Sequence, residues 1–338
     1  MLRRTLALVL FLAACEQRKT APASEPATAT NADARTPSAA PATTNDGSSA
    51  REASSGNTTD GATPSGVNVL GPGDSTPELG LGAAVVHVPA SLPPGEKAPL
   101  IVILHGLGAT SAAIDRFSDF ASFAEMKRIA WVAPDGPKDS KGRQFWNAGS
   151  TCCNFDGIRV DHVAALRTLV ERAVADKPID AKRVYAVGYS NGGFMAHRLG
   201  CELDGLFAGI ASVAGAGPKP GEPCPAKGPL RVLQVHGEAD PIVNIAGGPL
   251  FADRTYPSSI SAADTILDWA KRLDCAAKPR SAGKLDFEAK LPGPETTVER
   301  FETCKRGAVE LWTVGGGGHY IGLREPSYEV MWKFLSGS

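Results

Sequence analysis

Short runs of consecutive apolar residues recur along most of this chain. Each is bounded by glycine, proline or a polar cluster, and stretches with apolar residues three or four apart lie between them. Val85 to Val88, Pro99 to Leu104, Ile129 to Ala133, Val184 to Val187, Gly209 to Val213, Arg231 to Val235 and Ala308 to Val314 read as strands. Helical spacing predicts helices over Ser111 to Ala124, Asp161 to Ala175, from Asn191 onward, over 260–272 and over Ser327 to Leu335. In the second of these, Val163, Leu166, Leu169, Val170 and Val174 share one side, and Asp161 stands where a carboxylate suits the helix dipole. Buried strands alternating with helices predict an α/β fold: a mostly parallel central sheet with helices on both faces.

The polar signatures of the sequence fall at the carboxyl ends of these strands, where open α/β sheets place their sites. Gly188-Tyr189-Ser190-Asn191-Gly192 joins a strand to a helix and reads G-x-S-x-G. Such a turn strains its serine, so the positions two before and two after must lack a β-carbon, and both are glycine. The pentapeptide alone is a moderate signal in a chain with 37 glycines; the strand before it and the helix after it give it weight. Ser190, Asp240 and His319 each follow a strand, in the order Ser, Asp, His of the α/β-hydrolase fold. A serine hydroxyl needs a base within reach, and that imidazole needs an acid to fix its tautomer. His319 is the expected base and Asp240 its orienter. An oxyanion hole needs two backbone donors, expected from the N–H of Asn191 and, in the loop Leu104-His105-Gly106-Leu107-Gly108, from that of Leu107. His105 and His236 begin H-G turns and are expected to shape loops; His197 lies two helical turns beyond Ser190, and His87 and His162 suit surface or packing roles.

The run FWNAGSTCCNFDGIRVDHVAALRTLVERAVADKPIDAKRVYAVGYSNGGFMAHRLGCE from Phe145 to Glu202, with LHGLG, VLQVHGEADPIV and GGGGHY, resembles the polyhydroxybutyrate depolymerase and feruloyl esterase group of secreted α/β-hydrolases and the related acetyl xylan esterases. The resemblance covers the folded part and implies Ser190 as nucleophile, Asp240 as acid and His319 as base. The chain departs from the group at Asp161-His162, where two aspartates are usual, and at Leu107, which bears on the acyl pocket. A serine esterase is therefore expected, with a serine peptidase or a non-catalytic binding protein on the same fold as competing classes. No surface-binding domain follows the last helix before Ser338, so short soluble esters are expected first: feruloyl or acetyl groups on plant-polysaccharide fragments, then hydroxybutyrate oligomers. Trp146 is a candidate aromatic wall for a phenolic acyl group or a sugar, with a buried packing role as the equal alternative.

Composition adds the setting. Arg3 and Arg4 precede the apolar run Leu6 to Leu12, too short to span a bilayer, and Leu12-Ala13-Ala14-Cys15 resembles a bacterial lipobox in which Cys15 is acylated. An ordinary signal peptide cut near Ala14 is the alternative. Residues 16–75 are rich in Ala, Thr, Ser and Pro and cannot bury enough apolar surface to order themselves, so they read as a tether about 45 Å in mean span. Residues 76–338 form the catalytic domain. The expectation is an exported, lipid-anchored protein at the bacterial cell envelope. Its only membrane contact is the anchor. The formal net charge of −1 and the lack of a basic stripe argue against nucleic acid as a partner. Without Cys15, six cysteines remain, an even number that suits disulfides. Cys275 and Cys304 bracket the stretch before the last strand and are the expected pair, also by the resemblance. Cys152 and Cys153 are then expected to bond separately to Cys201 and Cys224, because neighbours rarely bridge each other. No C-x-x-C or H-E-x-x-H motif is present, so neither metal nor cofactor is expected.

Overall fold

The apolar runs assemble into one ten-stranded sheet in the computed structural model, which describes residues 66–68, 81–82, 84–112 and 119–338. In chain order the elements are β1 (Gly66–Asn68), β2 (Val85–His87), β3 (Ala98–Leu104), α1 (Phe120–Met126), β4 (Ala130–Val132), α2 (His162–Asp176), β5 (Ile179–Tyr189) and α3 (Asn191–Glu202). They continue with β6 (Gly209–Val213), β7 (Leu230–Gly237), β8 (Gly248–Pro249), β9 (Ser258–Ser259), α4 (Ala262–Arg272), β10 (Arg280–Leu285), β11 (Thr296–Phe301), β12 (Gly307–Val314) and α5 (Glu325–Ser336). The sheet order is β1-β2-β4-β3-β5-β6-β7-β12-β11-β10, and β8 and β9 pair separately. The run from β4 through β12 is parallel throughout, with antiparallel pairs at both edges.

Both faces of the parallel strands are buried, because successive side chains point to opposite sides and each side carries helices. On one face Leu100, Val102, Leu104, Val184, Ala186 and Ile210 pack with residues of α2, α3 and α4, such as Leu166, Leu199 and Trp269. On the other, Ile101, Tyr185, Ala211 and Val213 pack with Phe123 of α1 and with Met331 and Phe334 of α5. Asp161 caps α2, its carboxylate accepting the N–H of Ala164 at 3.0 Å.

Five strands escaped the apolar pattern: β1, β8 and β9, of two or three residues each, and the longer β10 and β11. β10 is exposed along nearly its whole length, and β11 alternates buried with charged positions, so neither forms an apolar run. The helix expected over Ser111 to Ala124 begins, as α1, only at Phe120; residues 113–118 lie outside the described residues. The leader, Cys15 and most of the expected tether also lie outside them. β1, which pairs with β2, falls within that tether, so sheet structure starts before the boundary expected at residue 76.

Candidate active site

β5 ends at Tyr189 and α3 begins at Asn191, which leaves Ser190 alone to turn the chain, with φ 52° and ψ −116°. A β-carbon on Gly188 would lie 1.9 Å from the carbonyl oxygen of Gly192, and one on Gly192 2.1 Å from that of Leu104. Both contacts are with backbone, so the G-x-S-x-G pattern is dictated by strand–helix closeness. The N–H of Ser190 donates to Val213 O at 2.7 Å, tying the turn to the end of β6.

The loops after β7 and β12 meet the turn. His319 Nε2 lies 3.0 Å from Ser190 Oγ, and its Nδ1 lies 2.7 Å from Asp240 Oδ2. His319 and Asp240 are buried. Asp240 Oδ1 also accepts the N–H groups of Ile242 at 2.8 Å and Val243 at 2.9 Å. Burial alone would raise the Asp240 carboxyl. The N–H of His236 close by, the hydrogen bond and charge of His319 and the Val243 N–H outweigh it and hold the group well below the usual carboxylate range. Asp240 is therefore ionised and accepts a hydrogen bond from the Nδ1–H of His319, which leaves Nε2 with its lone pair toward the serine. The Tyr189 hydroxyl donates to the carbonyl of His319 and holds the histidine loop. Burial keeps that phenol protonated well beyond neutral pH.

Gly106 packs against Ser190: a β-carbon added there would stand 3.4 Å from that of Ser190. His105 shapes this loop, as expected. It bonds Gly106 O through Nδ1 at 2.8 Å and accepts the Gly136 N–H on Nε2 at 3.0 Å. The N–H groups of Gly108 and Ala109 are engaged by Gln144 O and Gly106 O. Asn191, as the first residue of α3, has no intrahelical acceptor for its own N–H.

Trp146 is not an aromatic wall. It is fully buried, and its Nε1–H donates to His105 O at 3.0 Å. Its backbone N–H donates to Asn191 Oδ1 at 2.7 Å, and its carbonyl accepts from Asn191 Nδ2 at 2.9 Å. The residue thus ties the loop of Leu107 to the turn of Ser190. Aromatic surface lies elsewhere. A cleft of about 340 Å³ is lined in part by Ser150, Thr151, Cys152, Asn154, Phe155 and Tyr256. Phe155 and Tyr256 meet edge to face at 5.2 Å, and Phe251, partly exposed, stands 4.8 Å from Tyr256. Leu107, Phe155 and Tyr256 border one apolar cluster with Cys152, Cys153, Phe194 and Val243. On the opposite side, an apolar cavity of about 390 Å³ is lined, among the described residues, by Gly106, Tyr189, Tyr320, Phe123 and Trp332, among others.

The cysteine expectation is corrected in part. Cys275 bonds Cys304, but Cys201 bonds Cys224, and Cys152 bonds Cys153. Cys152 Sγ rests 3.6 Å from Asn191 Nδ2 at the start of α3, whereas Cys201 lies ten residues further along that helix, about 15 Å away at 1.5 Å per residue. No Cys152–Cys201 bond can span that length. Three disulfides mark a chain that folds in an oxidising compartment, which accords with export. Among the described residues, no cluster of His, Cys, Asp or Glu could hold a metal ion.

A serine in a strained strand–helix turn, a histidine after the last parallel strand and an acid after the strand beside it define an α/β-hydrolase. The chain belongs to the phospholipase/carboxylesterase family, whose model matches residues 89–265. It is 27% identical over 255 residues to feruloyl esterase B of Piromyces equi, covering 74% of this chain and 45% of that protein. It is 32% identical over 134 residues to poly(3-hydroxyalkanoate) depolymerase C of Paucimonas lemoignei, covering 38% of this chain and 30% of that one. The chain thus spans less than half the length of either relative. The fold is also that of an acetyl xylan esterase from Aspergillus awamori, with TM-score 0.56, 16% identity, and coverage of 81% of this chain and 100% of that one.

Proposed function

We propose that the protein is a serine esterase that hydrolyses short soluble carboxylic esters, with feruloyl or acetyl esters of plant-polysaccharide fragments as its substrates. The observation that carries this is the continuous line from Ser190 Oγ through His319 to Asp240, at 3.0 and 2.7 Å. Ser190 attacks the ester carbonyl while His319 Nε2 takes its proton, and the imidazolium formed is stabilised by Asp240. The carbonyl oxygen gathers negative charge and is met by the backbone N–H groups of Asn191 and Leu107, each worth about 3 to 4 kcal/mol to the transition state. His319 then returns the proton to the departing alcohol, leaving an acyl-Ser190. Water, deprotonated by the same imidazole, releases the acid.

The two spaces flanking the turn leave room for an acyl group as large as feruloyl. The apolar cavity beside Gly106 and Tyr189 suits a phenolic ring. The cleft beside Cys152 joins hydroxyl groups to aromatic faces and suits a hydroxylated alcohol. The likeness to a poly(3-hydroxyalkanoate) depolymerase favours hydroxybutyrate oligomers as a second class. Acylation of Cys15 would hold the enzyme at the cell envelope, with the residues between Cys15 and β1 as the spacer. The test is turnover of methyl ferulate, an acetylated xylo-oligomer, a hydroxybutyrate trimer and a long-chain acyl ester side by side. Methyl ferulate or the acetylated oligomer should lead; preference for the long-chain ester contradicts the proposal.

A further inference from the structure

Beyond Asp240, a line of hydrogen bonds runs through the core to α4. Trp269 Nε1 lies 3.0 Å from His197 Nδ1, and His197 Nε2 lies 2.8 Å from Gln234 Oε1. Gln234 Nε2 lies 3.0 Å from His236 Nδ1, and His236 Nε2 lies 2.7 Å from Val243 O and 3.5 Å from Asp240 Oδ2. Trp269, His197, Gln234, His236 and Asp240 are all buried, and they come from α4, α3, β7 and the loop after it.

The direction of every bond in this line is determined. An indole N–H only donates, so His197 Nδ1 accepts and its proton sits on Nε2, where it donates to Gln234 Oε1. The amide nitrogen then faces His236, an orientation fixed a second time because Gly215 O accepts from the same nitrogen at 2.9 Å. His236 Nδ1 must therefore accept, and its proton sits on Nε2, toward Val243 O and Asp240. Burial pushes His197 down to about 4, in keeping with a neutral ring. At 3.5 Å the contact with Asp240 is long for a direct hydrogen bond. His236 exerts its main hold through Val243, whose carbonyl it binds and whose N–H binds Asp240 Oδ1.

We propose that His236 is a positioning residue for Asp240, and that Trp269, His197 and Gln234 fix the tautomer in which it acts. This rests on the reading of Ser190, His319 and Asp240 as the catalytic triad. His236 touches none of the reacting atoms. Its Nδ1 accepts from the Gln234 amide, which aims its N–H at Val243 O and Asp240, so the carboxylate beside His319 is held in one orientation.

The experiment measures kcat and KM for p-nitrophenyl acetate, the thermal midpoint and the downfield proton resonance of His319 Nδ1–H in the full chain. His236→Phe is expected to lower kcat at least about tenfold with KM within about twofold, at a temperature where the variant is fully folded, and to shift the resonance. His236→Gln keeps an N–H at that reach and should recover most of kcat. Gln234→Met, close in volume, should repeat the loss and stands in if His236→Phe does not fold. Unchanged kcat and resonance in a folded variant would overturn the proposal, as would a loss of kcat that follows thermal stability and is not recovered by Gln. Ser190→Ala in the same assay separates the two levels: activity retained there removes the triad reading itself, whereas silent His236 and Gln234 variants beside a dead Ser190→Ala remove only this inference.

Discussion

His319 Nδ1 meets Asp240 Oδ2 at 2.7 Å across 79 residues of sequence, and this contact decides which nitrogen of the ring faces Ser190. Asp240→Asn removes the negative acceptor and lets the side-chain amide donate to Nδ1, which turns the imidazole to the wrong tautomer. A fall in kcat of about 10⁴, with KM little changed, is expected in steady-state kinetics on p-nitrophenyl acetate. A variant within tenfold of the parent contradicts the role given to Asp240.

The turn itself should resist change. Gly192→Ala puts a β-carbon 2.1 Å from Leu104 O, a backbone atom that cannot move without breaking β3. A destabilisation of at least about 3 kcal/mol is expected in urea unfolding. Gly205→Ala, at φ +79° with no atom within 4 Å of the new carbon, should cost only about 1 kcal/mol. Equal losses at the two sites would show that close approach is not what selects Gly192.

These two sites mark what the sequence makes legible. Ser190, Asp240 and His319 stand out because each needs a special turn at a strand end, and glycine or proline beside them records that turn locally. The place of Trp146 and the pairing of Cys152, Cys153, Cys201 and Cys224 are not legible, for the opposite reason. What decides Trp146 is Asn191, 45 residues away, and what separates Cys152 from Cys201 is the length of α3. The line from Trp269 to His236 left no trace in the sequence, since its members come from three elements with no motif in common. β10 was invisible because an edge strand exposed along its length has no apolar period to show.

Peptide mapping under non-reducing conditions should recover Cys201 with Cys224, Cys275 with Cys304, and Cys152 with Cys153 within one peptide. Replacing Cys201 and Cys224 together by serine opens a link between residues 23 apart and should cost about 3 kcal/mol. Recovery of Cys152 joined to Cys224 contradicts the pairing.

Stability should rise with pH through the acid range. Burial holds His162 and His197 down to about 4, with the charge of Arg198 adding to the effect at His162. Between about pH 4 and 6.5 the unfolded chain binds protons at these residues that the folded chain does not. Each therefore contributes a slope of up to about 1.4 kcal/mol per pH unit, and the contribution levels off above pH 6.5. Urea unfolding of His162→Asn at pH 4.5, 5.5 and 7 should show a shallower dependence than the parent. An equal slope contradicts a neutral, buried His162.

Ser190 should carry the acyl group between the two half-reactions. Rapid acid quench during turnover of p-nitrophenyl acetate, followed by peptide mass spectrometry, reads that directly. One acetyl group on the hydroxyl of Ser190, absent from Ser190→Ala together with all turnover, is the predicted result. An acetyl group on another side chain, or turnover that survives in Ser190→Ala, would contradict it.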